Sequence, residues 1–328
     1  MKTECRLIAY RVTLLSVLLA ALFAISGCSN PEKTKIAHVE RGEAYLKESK
    51  FQEAALEFRN ALQLDDKLGA AHWGLARAYE GLQRFPEMFD ELKKTTQLDQ
   101  NNLEAKNKLA NYFVAASPGR PELLAEAERL ANDILQRNPS DIEGHILLSS
   151  VRFAQKRKDE ALAELNRAIE LDPKRSQSYL SLSRFYLVTN DPAKAQETFK
   201  KAISVDPGSA LVHTEYGKFL VQARRPTEAE AELKKAVELA PSDRNTRLVL
   251  GSFYVVNNQL DKAEETYRAI ADIDKDKPES QAILADFYSS INRKDDAVRI
   301  YQEILAKSPD YMQGRYRLAE ILLNKGDK

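Results

Sequence analysis

The side chains best suited to chemistry in this 328-residue chain are four histidines. An imidazole can act as a general base near neutral pH or bind a metal ion such as zinc. A metal site, however, needs several ligands around one ion. The four histidines occupy the same position of a repeated sequence unit in four different copies: His38, His72, His145 and His213. Because separate copies form separate layers of a repeat protein, we interpret them as packing residues.

Other catalytic patterns do not occur in the sequence. Neighbouring carboxylates could form an acid–base pair, but Glu264–Glu265 and Asp295–Asp296 lie beside lysines on helical segments, where a solvated helix face explains them better. The motifs GxGxxG, GxxxxGK(S/T), HExxH and GxSxG are not found. The sequence therefore predicts a protein that is not an enzyme, with no catalytic residue, cofactor, metal or small-molecule substrate.

Charge gives no indication of a nucleic-acid partner. The 49 basic and 49 acidic side chains cancel, so no net field attracts nucleic acid or an anionic lipid surface. Charged residues form 30% of the chain and hydrophobic residues 43%. That balance is typical of solvated helices that still bury an apolar face.

The N-terminal segment has the pattern of a secretory signal. Three basic residues within 1–11 precede an uncharged run at 12–26. This run is shorter than the roughly 20 apolar residues that a membrane-spanning helix needs. It therefore indicates the apolar region of a signal peptide.

The thiol of Cys28 follows this segment in a distinctive context. The tetrapeptide at 25–28, Ile-Ser-Gly-Cys, resembles the bacterial lipobox, whose cysteine is acylated and becomes the first residue. The resemblance implies a signal peptide over 1–27, a lipidated linker over 28–34 and membrane attachment through lipid on Cys28. With Ser29 rather than aspartate next, it implies a periplasm-facing outer-membrane anchor. The alternative is an ordinary secretory signal, or a short anchor, with an incidental cysteine.

The rest of the chain is organised by a period of 34 residues. The segments 159–173, 193–207 and 227–241 follow one pattern, and each ends in a proline 34 positions after the previous one. A fixed period in the range of about 20–50 residues is typical of repeat proteins. The proline is expected to end the second helix of each unit, because it lacks a backbone N–H and restricts the residue before it.

Each unit places small and large residues at fixed positions of its first helix. A small eighth position lets two helices pack closely. These residues are Gly42, Ala76, Ala110, Ser149, Ser183, Gly217, Gly251, Ala285 and Ala319. The large eleventh position fills the neighbouring space in most units, through Tyr45, Tyr79, Phe113, Tyr186, Leu220, Tyr254, Tyr288 and Leu322. Repeat four departs from this pattern, with Arg152 in that place and Phe153 beside it.

These columns resemble the tetratricopeptide repeat over most of the chain. The resemblance implies an all-α fold, a right-handed superhelical solenoid of antiparallel helix pairs with eight full repeats and one terminal helix. The predicted solenoid covers 35–328 and divides into 35–68, 69–102, 103–141, 142–175, 176–209, 210–243, 244–277, 278–311 and the half repeat 312–328.

Two places depart from the regular repeat. Repeat three is longer than the others around Ser117–Pro121, where proline and glycine disfavour helix, so we expect a bulging loop. The final helix leaves Leu318, Ile321 and Leu322 with no second helix to cover them. Because a stack normally ends in a polar cap, we expect the sequence to belong to a longer protein, with an unusual cap as the alternative.

Relatives of this kind bind partners on a concave surface lined by positions two, five, nine, twelve and thirteen of the first helices. In repeats four to seven these positions are mostly apolar with polar neighbours, as a groove for a partner helix or extended segment would be. The residues predicted to line it are Ile146, Phe153, Leu180, Arg184, Leu187, Leu211, Lys218, Val221, Leu248 and Val255, with Val188 and Val256 at equivalent positions. The alternative is that some of them pack against the adjacent repeat.

Two functions are consistent with this pattern. The first is a lipid-anchored scaffold that holds protein partners of a bacterial envelope assembly, export or secretion machine. By resemblance, exopolysaccharide export or protein sorting is favoured, because the pilotins of type IV pili and the repeat lipoprotein of β-barrel assembly are shorter. The second is a substrate-recruiting arm of an enzyme such as a glycosyltransferase, whose catalytic domain would follow residue 328.

Overall fold

The computed structural model describes residues 31–325, and within that range every regular element is an α-helix. The first helices of the repeats are α1 Pro31–Lys47, α3 Gly69–Gly81, α5 Leu103–Ala116, α7 Ile142–Ala154, α9 Ser176–Val188, α11 Ala210–Gln222, α13 Arg244–Val256, α15 Pro278–Ser290 and α17 Met312–Lys325. The second helices are α2 Phe51–Leu64, α4 Phe85–Leu98, α6 Pro121–Arg137, α8 Lys158–Leu171, α10 Pro192–Val205, α12 Pro226–Leu239, α14 Leu260–Ile273 and α16 Lys294–Lys307. None of these helices is long and apolar enough to span a bilayer.

The described chain divides after Arg157 into two compact units. The first unit contains α1 to α7 and buries Phe58, Leu92 and Ile134 in its core. The second unit contains α8 to α17 and buries Leu233 and Tyr301 in a core of its own. Repeat four therefore contributes its first helix to one unit and its second helix to the other.

The helix boundaries follow the predicted repeat. From the second repeat onward each first helix begins at the predicted residue, such as Gly69 or Ala210. Most of the later second helices end just before a capping residue that precedes proline, as at Leu171 before Asp172 and Pro173. The prolines therefore lie where they were predicted, just past the helix end, but α14 ends at Ile273 in the same register with Lys275 in place of proline.

Most first helices are followed, two residues after the last helical residue, by a residue with a left-handed backbone. These residues are Ser49, Gln83, Lys156, Asn190, Arg224, Asn258 and Asn292, with φ between 55° and 66°. In repeat six the following N–H, that of Arg225, donates to the carbonyl of Leu220 at 3.0 Å and closes the helix end. Asparagine tolerates this conformation better than a residue with a long side chain.

Replacing Arg224 with asparagine is expected to stabilise the second unit. Arg224 is exposed with φ 56°, so Arg224→Asn should relieve part of the left-handed strain and raise the free energy of unfolding by about 0.5 kcal/mol. Arg224→Ala keeps the strain and is the control. Urea unfolding followed by circular dichroism checks the difference, and an asparagine variant no more stable than the alanine variant would show that the strain is negligible.

The small eighth position performs its predicted role. A Cβ atom on Gly42 would lie 2.7 Å from Cε1 of Phe58, which enters the space that the glycine leaves open. Phe58 also contacts Gly74 of the next first helix, so one ring packs against the backbones of two helices. The small residues of this column are buried from Gly42 to Ala285, and Ala319 is exposed.

An ion pair replaces the aromatic ring of repeat four. Arg152 pairs with Glu128 of the preceding second helix. In later repeats the hydroxyl of Tyr288 donates to Glu264 at 2.7 Å across the same separation in sequence. Arg152 therefore contacts the preceding second helix as the tyrosine hydroxyl does in other repeats. This contact explains how repeat four packs without an aromatic residue at this position.

The prediction of a bulging loop in repeat three is wrong. Only 117–120 form a turn, with Gly119 at φ +77°, and most of the extra length lies in α6, which has 17 residues where other second helices have 14. Proline is favoured in the first turn of a helix because its missing N–H would have no partner there. Pro121 therefore begins an extra helical turn.

Both ends of the described chain correct the sequence-based expectations. Helix α1 begins at Pro31, so residues 31–34 of the predicted linker are helical; Cys28 and the proposed signal peptide lie outside the described residues. At the other end Ile321 is only 5% exposed and belongs to the core of the second unit. The exposed apolar residues of α17 are instead Met312, Tyr316 and Leu323.

Candidate protein-binding surface

The histidines are held inside their repeats. Nδ1 of His213 lies 2.6 Å from Oε2 of Glu232, and Nε2 lies 3.1 Å from the carbonyl oxygen of Pro207. His72 makes the same two contacts with Glu91 and the carbonyl of Asp66. Both imidazoles are thus hydrogen-bonded within their own repeats, as expected of packing residues. Among the residues described, no three or more His, Cys, Asp or Glu side chains form a group that could hold a metal ion.

The His72–Glu91 pair makes stability depend on pH. Burial lowers the pKa of His72, but the hydrogen bonds to Glu91 and to the Asp66 carbonyl outweigh it, so the pKa lies above 6.5. Burial raises the pKa of Glu91, while hydrogen bonds from His72 and Lys94 bring it below 4.5. The contribution of His72 is complete below pH 6.5 and is lost as the pH rises through its folded pKa; that of Glu91 is complete above pH 4.5 and is lost as the pH falls through its folded pKa.

His72→Gln is therefore expected to lower the free energy of unfolding more at low pH than at high pH. The variant loses a charged hydrogen bond and should reduce the free energy of unfolding by about 2 kcal/mol at about pH 6, and by less at about pH 8.5. Tyr179, which donates its hydroxyl to the Pro173 carbonyl at 3.0 Å from the equivalent position, offers a neutral control in Tyr179→Phe. Urea unfolding at both pH values checks this, and an equal cost for His72→Gln at both would contradict it.

The predicted groove residues lie on four first helices. Ile146 and Phe153 are partly buried on α7 of the first unit. The other eight lie on α9, α11 and α13 of the second unit: Leu180, Arg184, Leu187, Leu211, Lys218, Val221, Leu248 and Val255.

The prediction that Leu180 lines the groove is wrong. It is only 4% exposed and belongs to the core of the second unit together with Val212 and Tyr216. The fifth position is also buried at Thr214 and Ala282, but it is only partly buried at Ile146 and Leu248. Adjacent first helices pack side by side, so Leu180 lies in the seam between them rather than on the open face.

The remaining apolar residues form a surface that we call the apolar strip: Leu187, Val188, Leu211, Val221, Leu248, Val255 and Val256. The largest exposures are at Val188, Leu211 and Val256, which are 57%, 52% and 77% accessible. Leu187, Val221 and Val255 are half-buried against the core. Neighbouring first helices lie about 8–10 Å apart, so the row from Leu187 through Val221 to Val255 spans about 20 Å.

The equivalent face of the first unit carries charged residues that pair with one another, beside the exposed Ile36. Arg77 pairs with Glu43 of the preceding repeat and stacks on Trp73, 5.2 Å from the ring centre. Nζ of Lys108 lies 2.8 Å from Oε1 of Glu80, again across a repeat boundary. The polar groups here satisfy one another, whereas the strip in the second unit presents apolar surface to water.

Comparison with known proteins identifies the repeat. One profile described as tetratricopeptide repeat matches residues 122–184, 152–218, 186–244 and 220–287, and a second matches 39–94 and 284–328. The chain belongs to the tetratricopeptide repeat family. Proteins of this family bind peptides or other proteins and are generally non-catalytic scaffolds. No curated protein sequence shows a significant match.

Solved structures show the same fold. A tetratricopeptide repeat protein from Parabacteroides merdae is 17% identical, with a TM-score of 0.59, over 69% of this chain and 86% of its own. PilW, a widely conserved type IV pilus biogenesis factor, is 18% identical, with a TM-score of 0.50, over 66% of this chain and 98% of its own. At these identities the likeness concerns the fold alone.

Proposed function

We propose that this protein is a scaffold that is anchored by lipid in a bacterial envelope and holds a partner protein on the apolar strip. The observation that carries the proposal is the exposure of Val188, Leu211 and Val256 on one face of a tetratricopeptide repeat unit. Burying such side chains is favourable by about 25 cal/mol per Å², and exposed apolar side chains on one face are typical of protein-binding sites. A partner helix or extended segment would supply the burial.

The cellular setting rests on the sequence around Cys28. The lipobox resemblance supports an outer-membrane anchor facing the periplasm, and the number of repeats favours exopolysaccharide export or protein sorting. A repeat arm that recruits substrates for a catalytic domain after residue 328 is the second candidate, since Tyr316 and Leu323 expose apolar surface on α17. The gene sequence beyond codon 328 distinguishes the two candidate functions, because a catalytic domain encoded there would support the substrate-recruiting arm.

The strip is tested by capture of partners from the native envelope. Leu211→Glu combined with Val256→Glu changes two exposed residues outside the core, so the helical signal should persist while capture falls at least about tenfold, because two charges must then be desolvated. Lys200→Gln combined with Lys234→Gln on the second helices makes the same change in net charge and is the control. Unchanged capture by the glutamate variant would exclude the strip.

The anchor is tested by metabolic labelling. Wild-type protein should take up labelled palmitate, and Cys28→Ala should not, because the thiol is the proposed acceptor. Equal label on both proteins, or none on the wild type, would contradict the lipid anchor while leaving the strip untouched.

A further inference from the structure

The polar residues along the apolar strip are ordered by charge. Position nine of the successive first helices holds Arg184 on α9, Lys218 on α11, Ser252 on α13 and Asp286 on α15. The row therefore runs from basic through neutral to acidic across four adjacent helices. Position two adds a carboxylate at the acidic end, since Glu279 is exposed on α15.

These charges differ in how far they are already neutralised. Nζ of Lys218 lies 2.7 Å from Oε1 of Glu215. Asp286 accepts a hydrogen bond from the Tyr301 hydroxyl at 2.6 Å and lies 3.6 Å from Nε of Arg317. Arg184 is exposed and forms no hydrogen bond or ion pair within the residues described. The guanidinium beside the apolar row is thus the charge available to a partner.

We infer that the strip selects a polypeptide segment whose apolar face ends in acidic residues, with those residues placed against Arg184. This inference rests on the proposed binding role of the strip and adds the chemistry of the partner. A guanidinium forms paired hydrogen bonds with a carboxylate. The acidic end of the row disfavours the opposite placement, because a carboxylate there would meet the exposed Glu279. Charge therefore fixes which end of the segment lies on α9.

The preference should be modest and sensitive to salt. An exposed ion pair contributes about 0.2–1 kcal/mol, which corresponds to an affinity difference of up to about fivefold. At about 1 M salt the Debye length is about 3 Å, so the difference should nearly disappear. The apolar contribution to binding should remain at that salt concentration.

The test uses two synthetic helical peptides of about 14 residues, long enough to cover about 20 Å. They share one leucine face and differ only at one end, which has three glutamates or three lysines. At low salt the wild-type protein should bind the acidic peptide about fivefold more tightly. Arg184→Glu should abolish or reverse that preference, while Lys200→Glu, the same change in charge on α10, should leave it intact.

The outcomes separate this inference from the function on which it rests. Equal affinity for both peptides, or a preference that survives Arg184→Glu, would overturn the charge selection. If both peptides still lose binding in the Leu211→Glu, Val256→Glu protein, the strip stands as the binding surface. If neither peptide binds the wild type, or if binding is unaffected by that double variant, the strip itself is excluded.

Discussion

Phe58→Ala should destabilise the first unit by about 3–5 kcal/mol, the usual cost of removing a buried aromatic ring. Phe58 has no exposed surface and packs against the backbones at Gly42 and Gly74. Neither glycine has a side chain that could move into the space, so the cavity would stay open. The loss is large for a domain whose total stability is commonly about 5–15 kcal/mol.

The matched control is Leu56→Ala on the same helix. Leu56 is 52% exposed, so its truncation should change the free energy of unfolding by at most about 0.5 kcal/mol. Urea unfolding of the full chain should show an earlier transition for Phe58→Ala than for Leu56→Ala. Equal shifts would mean that close packing at the small column contributes little to stability.

Gly217→Val should destabilise the second unit by about 2–3 kcal/mol through overpacking. A Cβ on Gly217 would lie 2.7 Å from Cγ and Cδ2 of Leu233, a side chain with no exposed surface. Higher helix propensity than glycine offsets only part of this cost. Gly208→Val is the control, because the nearest atom to a Cβ there is 3.9 Å away.

A double-mutant cycle identifies the cause. Leu233→Ala alone should be destabilising, but in combination with Gly217→Val it makes room for the new side chain. The double variant should therefore be destabilised by about 1–2 kcal/mol less than the sum of the two single variants. Additive costs would show that the valine acts by some other route than contact with Leu233.

The repeat period made much of this fold predictable. Prolines and small residues recur at one spacing because every repeat packs its helices in the same way. The starts of the first helices from α3 to α17 and the role of Gly42 could therefore be predicted. The apolar residues of the strip were also visible in the sequence, and Leu211 is exposed in the structure.

Features set by neighbouring repeats were harder to predict. Whether Leu180 or Val188 meets water depends on how adjacent helices pack, which the pattern within one repeat does not specify. The extra length of repeat three was assigned to a loop because a proline interrupts helices, although Pro121 begins one. The partners of the histidines did leave a signal, since His38, His72 and His213 are each followed by a glutamate at the same distance: Glu57, Glu91 and Glu232.

The central claim is that the apolar strip holds a partner protein, and photo-crosslinking from Val256 tests it most directly. A photoreactive residue at this position, the most exposed member of the strip, should form protein adducts in the native envelope. The same residue at Lys200 on α10 should form none, and Leu211→Glu should remove the adducts from position 256. Adducts of equal yield from both positions, or adducts at 256 that persist with Leu211→Glu, would contradict the claim.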